Sequence, residues 1–143
     1  MSCAKELGLE LVGVTSASPF RRGERVASKR LRDGHMGELP WYTAERVRRG
    51  TRPAELLPGA KSVISVAVSY MPDVQPSVPT YVGHGRVARY AWGQDYHRIL
   101  KKRLRQLADL LSDRIGQPIR YRIYVDDGPM LDREVAWRAG VGF

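Results

Sequence analysis

The chain has 143 residues, enough for one ordinary domain with a buried core, and 43% of them are apolar, which excludes a disordered or low-complexity class. Its single cysteine, Cys3, excludes a disulfide framework and reads as a free thiol. The 24 Lys and Arg outnumber the 15 Asp and Glu, for a net charge of +9; this favours an acidic partner such as RNA or DNA, with solvated basic helix faces as the plain alternative.

The longest apolar-rich run, 63–68, is far too short to span a bilayer, and no signal-peptide pattern opens the chain. The expectation is therefore a cytoplasmic domain without a membrane role. Residues 4–7 read as the end of a helix stopped by Gly8, followed by a strand over 9–15. A turn over 16–19 leads to a basic helix at 24–33, with Val26 and Leu31 turned inward and Gly34 as its stop. Residues 35–42 form a compact loop in which Trp41 either pins the loop to the core or lies against something flat. A short basic helix over 43–49 ends at Gly50. The connection Arg52-Pro53 to Pro58-Gly59 then feeds a strand over 62–70, whose apolar positions alternate with Ser and Ala. Both faces of that strand are expected to be covered, which makes it central.

Residues 71–84 carry Pro72, Pro76 and Pro79 without periodicity and read as a surface loop. The polar-aromatic segment 86–95 has little helical or strand period and needs outside contacts to become ordered. Tyr90 and Trp92 offer ring faces to a large planar ligand, and Gly93 permits close backbone approach. Asp95 is placed to cap a long helix, 96–115, with one apolar stripe of Ile99, Leu100, Leu104, Leu107, Leu110 and Leu111. Lys101, Lys102, Arg105 and Arg114 lie on its charged back. Gly116 and Pro118 end this helix, 119–125 reads as an edge strand, and a last helix over 130–139 stops at Gly140. The fold class that follows is α/β (α+β): a mixed sheet of three or more strands flanked by helices, in one domain over 1–143.

The strand over 119–125 delivers Asp126 and Asp127 to a stiff turn before Gly128-Pro129, where a side chain can face a cleft and serve as a general acid. The plain alternative is that Asp127 caps the next helix, with Pro129 in its first turn, and that Asp126 is a solvated turn residue. Zinc and P-loop patterns are absent, and His35 alone is no metal site, so no metal ligand is assigned.

Three segments, in one order, resemble the epoxyqueuosine reductase family. Residues 125–133, Val-Asp-Asp-Gly-Pro-Met-Leu-Asp-Arg, followed by Ala139-Gly140-Val141-Gly142-Phe143, resemble its V-D-x-G/A-P-x-L-x-R and A-G-x-G-F/W run. Residues 88–97 resemble its R-Y-A-x-G-x-D-Y-H segment, and 52–65 its R-P-x-x-L-L-P-G-x-x-x-V-I-S segment. The loop over 35–42 is similar to its H-G-E-M-x-W run. The resemblance implies a nitroreductase-like, cobalamin-binding domain that belongs to a longer enzyme. In the family a ferredoxin-like domain with two 4Fe-4S clusters follows; one cysteine cannot hold either cluster, so this chain alone is expected to be inactive.

The implied reaction is reductive removal of the epoxide oxygen of epoxyqueuosine in a tRNA anticodon loop, the last step of queuosine formation, with electrons from a donor protein or reductant. By motif position, Asp126 matches the family's proton donor. Ala88, Arg89, Trp92, Asp95, Tyr96, Asp126 and Arg52 are the cofactor-side candidates. Asp127 stands where other members usually carry Thr or Ser. For Asp126 to be protonated at neutral pH, burial beside the cofactor or the adjacent charge of Asp127 must hold the proton. Asp95-Tyr96-His97 departs from D-x-H-x-x-G, because Leu100 occupies the glycine position, so His97 is not expected to ligate cobalt. The basic helices 24–33 and 43–49 are the expected RNA contacts, and a monomer is expected. The alternatives are a non-catalytic basic RNA-binding module and a cobalamin-dependent reductase of another substrate.

Overall fold

In the computed structural model, which describes residues 2–71, 83 and 85–142, six helices surround one small sheet. Helix α1 (Ser2–Glu6) leads through Gly8, at φ 69°, into strand β1 (Leu11–Ser16). Helices α2 (Arg21–Arg32), α3 (Ala44–Gly50) and α4 (Pro53–Leu56) precede strand β2 (Ser62–Ala67). A 3-10 turn (Arg89–Ala91), the long helix α5 (Tyr96–Ile115) and helix α6 (Asp132–Arg138) complete the order.

Strands β1 and β2 pair antiparallel, Leu11 opposite Ala67 and Ser16 opposite Ser62. Because side chains alternate across a strand, Val12 and Val66 share one face and Gly13 points to the other. Val12 and Val66 pack on the core of Ala4, Leu9 and Leu107, together with Leu100, Leu104 and Leu111 of α5. On the opposite face α6 comes so close that a β-carbon on Gly13 would sit 2.0 Å from the Ala139 carbonyl oxygen. A second buried group, Phe20, Val47, Thr51 and Leu56, joins the helices α2 to α4. There the Phe20 amide donates to the Thr51 carbonyl at 2.8 Å.

Helix α5 forms as its sequence predicts. The Asp95 carboxylate accepts from the His97 amide at 3.0 Å, and Gly116 closes the helix in the left-handed conformation at φ 73°. The α/β class also holds. Its sheet, among the described residues, has two strands rather than three or more. The 119–125 segment joins no ladder: the Arg122 guanidinium donates to the Leu56 carbonyl at 2.7 Å, and side-chain contacts of this kind hold the segment in place of strand pairing. Strand β2 ends at Ala67 and is an edge rather than a covered centre, with Ile64 41% exposed beside Val14.

Two inward positions differ as well. Val26 is exposed, because α2 begins at Arg21 and turns Gly23 and Ala27 inward instead. A β-carbon on Gly23 would lie 3.0 Å from Glu134 Cγ, so only a small residue suits that helix crossing. Leu110 likewise faces outward from α5. The proline-rich loop predicted around Pro72, Pro76 and Pro79 lies outside the described residues.

Candidate active site

The turn that carries Asp126 is fixed from both sides. Val125 is buried, and a β-carbon on Gly128 would enter the Tyr124 ring at 2.3 Å, so glycine is required where the chain folds back. On the far side the Arg46 guanidinium donates to the Gly128 carbonyl at 2.9 Å. A β-carbon on Gly50 would meet the Pro129 carbonyl oxygen at 2.0 Å, and the Leu131 amide donates to the Gly50 carbonyl at 3.3 Å. Helix α3 therefore sets the height of the turn through direct backbone contact.

Asp126 itself has φ 55°, the one non-glycine residue in the left-handed region among those described. For a side-chain-bearing residue this conformation costs on the order of 1–2 kcal/mol. The Asp126 carboxylate accepts a hydrogen bond from the Tyr96 hydroxyl at 3.1 Å. Tyr96 is held edge-on to Tyr90, with ring centres 6.0 Å apart, and stacks on His97 at 4.1 Å. His97 Nδ1 lies 2.8 Å from the Asp95 carboxylate that caps α5.

Asp126 and Tyr96 stand at the polar rim of an open cleft of about 550 Å³. Val68, Tyr70, Tyr90, Ile99 and Leu100 form its apolar wall, and Ser69 and Arg103 add further polar groups. A mostly apolar hollow with a few convergent polar groups is the usual form of a small-molecule or cofactor site. A larger groove of about 1120 Å³, past Asp95, Arg98 and Lys102, shares Ile99 and Arg103 with this cleft but includes neither Asp126 nor Tyr96.

The electrostatics separate the neighbouring carboxyls. The Lys101 ammonium pairs with Asp127, and the Val125 amide donates to the same carboxylate at 2.9 Å. These two hydrogen bonds, the lysine's first, hold the Asp127 carboxyl below its ordinary value. Asp127 therefore does not cap the final helix, which begins five residues later behind Leu131. Asp126 is exposed in the chain alone. The carboxyl pushed upward is Asp132: surrounding protein atoms are the larger cause, although the residue is exposed to solvent, and the charges of Asp126 and Asp127 add to it. Burial first, then the bond to Asp126, raises the Tyr96 hydroxyl, which stays a neutral donor through the physiological range.

Of the residues picked from the sequence, Tyr96 and Asp126 meet at the cleft. Arg89 stacks over Trp92 at 6.0 Å and donates to Met71 Sδ at 3.2 Å, while the Trp92 indole donates to the Val87 carbonyl at 2.9 Å. Ala88 opens the 3-10 turn that carries Tyr90. Asp95 acts one step back, as the cap of α5. Arg52 lies elsewhere, in ion pairs with Glu24 at 2.9 Å and Glu55 at 3.7 Å. Trp41 is 52% exposed, so it does not pin its loop to the core; Arg46 stacks over it at 4.7 Å instead and links that loop to Gly128.

Sequence reasoning missed Lys101, Arg46 and Asp132. Lys101 had a signal: five residues past Tyr96, about 7.5 Å along the helix, it lies within reach of any turn that crosses the start of α5.

The family model for epoxyqueuosine reductase QueG, DUF1730, matches residues 50–127. An epoxyqueuosine reductase from Pseudomonas aeruginosa is 38% identical over 97% of this chain and 38% of its own length. A crystal structure of epoxyqueuosine reductase with an epoxyqueuosine-modified tRNA-Tyr stem loop superposes with a TM-score of 0.80 at 32% identity, over 99% of this chain and 37% of that one. A Bacillus subtilis epoxyqueuosine reductase, solved with its aspartate-bearing catalytic loop swung out of the active site, gives 0.74 at 28% identity, over 99% and 37%. The chain spans well under half the length of these relatives. Across that span, with its fold, its motifs and a strained aspartate at the cleft rim, the chain belongs to the epoxyqueuosine reductase family.

Proposed function

We propose that this chain is the cofactor- and substrate-facing part of an epoxyqueuosine reductase, and that Asp126, exposed in the chain alone, delivers a proton to the departing epoxide oxygen once bound cofactor and substrate cover its carboxyl and favour the protonated form. Removing that oxygen as water, to leave a carbon–carbon double bond, consumes two electrons and two protons. Bond cleavage places negative charge on oxygen, and a positioned acid lowers the barrier by a factor of about 100 to 10,000. The observation that carries the reading is Asp126 itself: a strained, exposed carboxylate at the rim of an aromatic cleft, aimed by the Tyr96 hydroxyl. The relative from Bacillus subtilis supports it, since a catalytic aspartate loop is the element that moves there.

The cleft suits a cobalamin by its chemistry. Its wall offers Tyr70, Tyr90 and aliphatic side chains to a flat macrocycle, with Arg103 and Ser69 near its polar edge. Bound there, the group supplies the electrons. Tyr90 and Tyr96 orient the substrate side of the pocket, and the aliphatic residues exclude water from it. Trp92, 44% exposed on the residue after the 3-10 turn that carries Tyr90, offers a further ring face. The tRNA anticodon loop is the proposed substrate, in line with the relative solved with a tRNA stem loop. Arg21, Arg25, Arg30 and Arg49, exposed on α2 and α3, supply cations for its phosphates. Electrons come from iron–sulfur clusters in the remaining part of the enzyme, and the setting is the cytoplasm.

The test is a cobalamin titration of the purified chain followed by absorbance, repeated with Trp92→Ala, Tyr90→Ala and Asp126→Asn. Saturable binding with a base-off spectrum is expected, weakened by the two aromatic truncations and retained in Asp126→Asn. No saturable change at high micromolar cobalamin, together with salt-dependent tRNA binding, would move the assignment to a non-catalytic RNA-binding module.

A further inference from the structure

We propose that helix α5 clasps the Asp126 turn at two points, with Tyr96 and Lys101 as positioning residues that fix where the Asp126 carboxylate points. The proposal rests on the reading of Asp126 as proton donor and names what aims it. The two anchor points are adjacent in the turn and close together on the helix: Tyr96 donates to Asp126 at 3.1 Å, and Lys101 pairs with Asp127.

The geometry divides the work between the two ends of the turn. The Gly128–Pro129 end is held by α3, through Arg46 and the close contact at Gly50. The Asp126–Asp127 end meets α5 instead, and it carries the backbone strain of the left-handed residue. A single exposed hydrogen bond and the strain it must offset are of similar size. A second contact adds to the hold on the turn. Asp127 spans the gap: one carboxylate oxygen accepts from the Val125 amide within the turn, and the other takes the lysine on α5.

The clasp also sorts the charges. Lys101 neutralises Asp127, the carboxylate nearest in sequence, and leaves Asp126 facing a neutral phenol. Tyr96 can serve as a fixed reference because Tyr90 and His97 hold its ring on two sides, and His97 is tied to the Asp95 cap. The acid is thus registered to the first turns of α5, the same helix that supplies Ile99 and Leu100 to the cleft wall.

The clasp is tested by amide hydrogen exchange at Val125, whose amide donates to the Asp127 carboxylate within the turn, measured for the chain and for Lys101→Met, Lys101→Arg, Tyr96→Phe and Asp127→Asn. Loss of the exposed ion pair should speed exchange there about 1.5- to 5-fold, with Leu107 on α5 unchanged as a control for folding. Lys101→Arg should restore the slow rate. Added salt should bring the parent chain toward the Lys101→Met rate, because the pair is partly exposed and screened, while the Tyr96→Phe effect persists. Unchanged exchange in both Lys101→Met and Tyr96→Phe overturns the clasp. Kinetics separate this from the parent reading: in the intact reductase the two variants should lower kcat more than they raise KM, with the lysine effect salt-dependent. If Asp126→Asn leaves kcat unaltered, the proton-donor role fails while the exchange result stands.

Discussion

Asp126 shows how a residue's type and its place in the fold contribute separately to a site. A V-D-x-G-P motif marks the aspartate, but only the structure reveals that it adopts φ 55° and lies exposed under the Tyr96 hydroxyl. Glycine accepts that backbone conformation without the steric cost. Asp126→Gly should therefore be more stable than Asp126→Ala by about 1 kcal/mol in urea unfolding, although both lack the carboxylate. The reverse order would mean that the turn relaxes once the side chain is gone.

Asp132 and Asp127 make opposite contributions to pH dependence. The folded-state carboxyl of Asp132 is raised, so its favourable contribution is complete below the ordinary carboxylate value and fades as pH rises through its elevated value. That of Asp127 is lowered, so its contribution is present above the ordinary value and fades only as pH falls through its depressed one. Asp132→Asn should therefore compare more favourably with the parent at about pH 7 than at about pH 4, by chemical denaturation at each. An equal difference at both values would show that ionised Asp132 is not penalised in the fold.

At the scale of elements, α3 and α5 act on the turn by different physics. Gly50 lets the α3 backbone touch the Pro129 carbonyl, and a methyl group there has no room. Gly50→Ala should cost about 1–3 kcal/mol by overpacking and shift the amide resonances of 126–131 in NMR spectra. Leu107→Ala, a deletion under the middle of α5, should cost about 2–4 kcal/mol through a cavity, with the turn resonances largely in place. If both variants disturb the turn equally, α3 has no special hold on it.

The elements legible beforehand were those with strong local signals. Helix α5 has its Asp95 cap, its leucine stripe and its Gly116 stop, and all stand as read except Leu110, which turns outward. The 119–125 segment has an equally good strand alternation, yet a strand exists only through its partner. Helix α2 was read with the wrong face inward, because its crossing with α6 rewards small residues, Gly23 and Ala27, over a larger Val26.

Across the whole molecule, the excess of 24 basic over 15 acidic residues is unevenly used. Arg22 pairs at 2.9 Å with Glu134, which is buried, and Arg46, Arg52 and Arg122 are held by internal contacts. The exposed arginines of α2 remain for an external polyanion. Binding of a tRNA anticodon stem loop should weaken linearly on a log–log plot against salt, each neutralised phosphate adding about 0.7–0.9 to the slope. Replacing Arg25 and Arg30 together should lower that slope by one to two such steps, in a filter-binding or fluorescence titration. A slope untouched by these changes would place the RNA on another face.

The sequence by itself determined the limits of α5, the positions of the motif residues and the basic balance, since caps, glycine stops and apolar periods act within a few residues of one another. Tertiary structure decided which strand-like segments found partners, and it brought Lys101 to Asp127, Tyr96 to Asp126 and Arg46 to Gly128. Those contacts cross 26, 30 and 82 residues of chain. Their energies depend on distance in space, which no local pattern records.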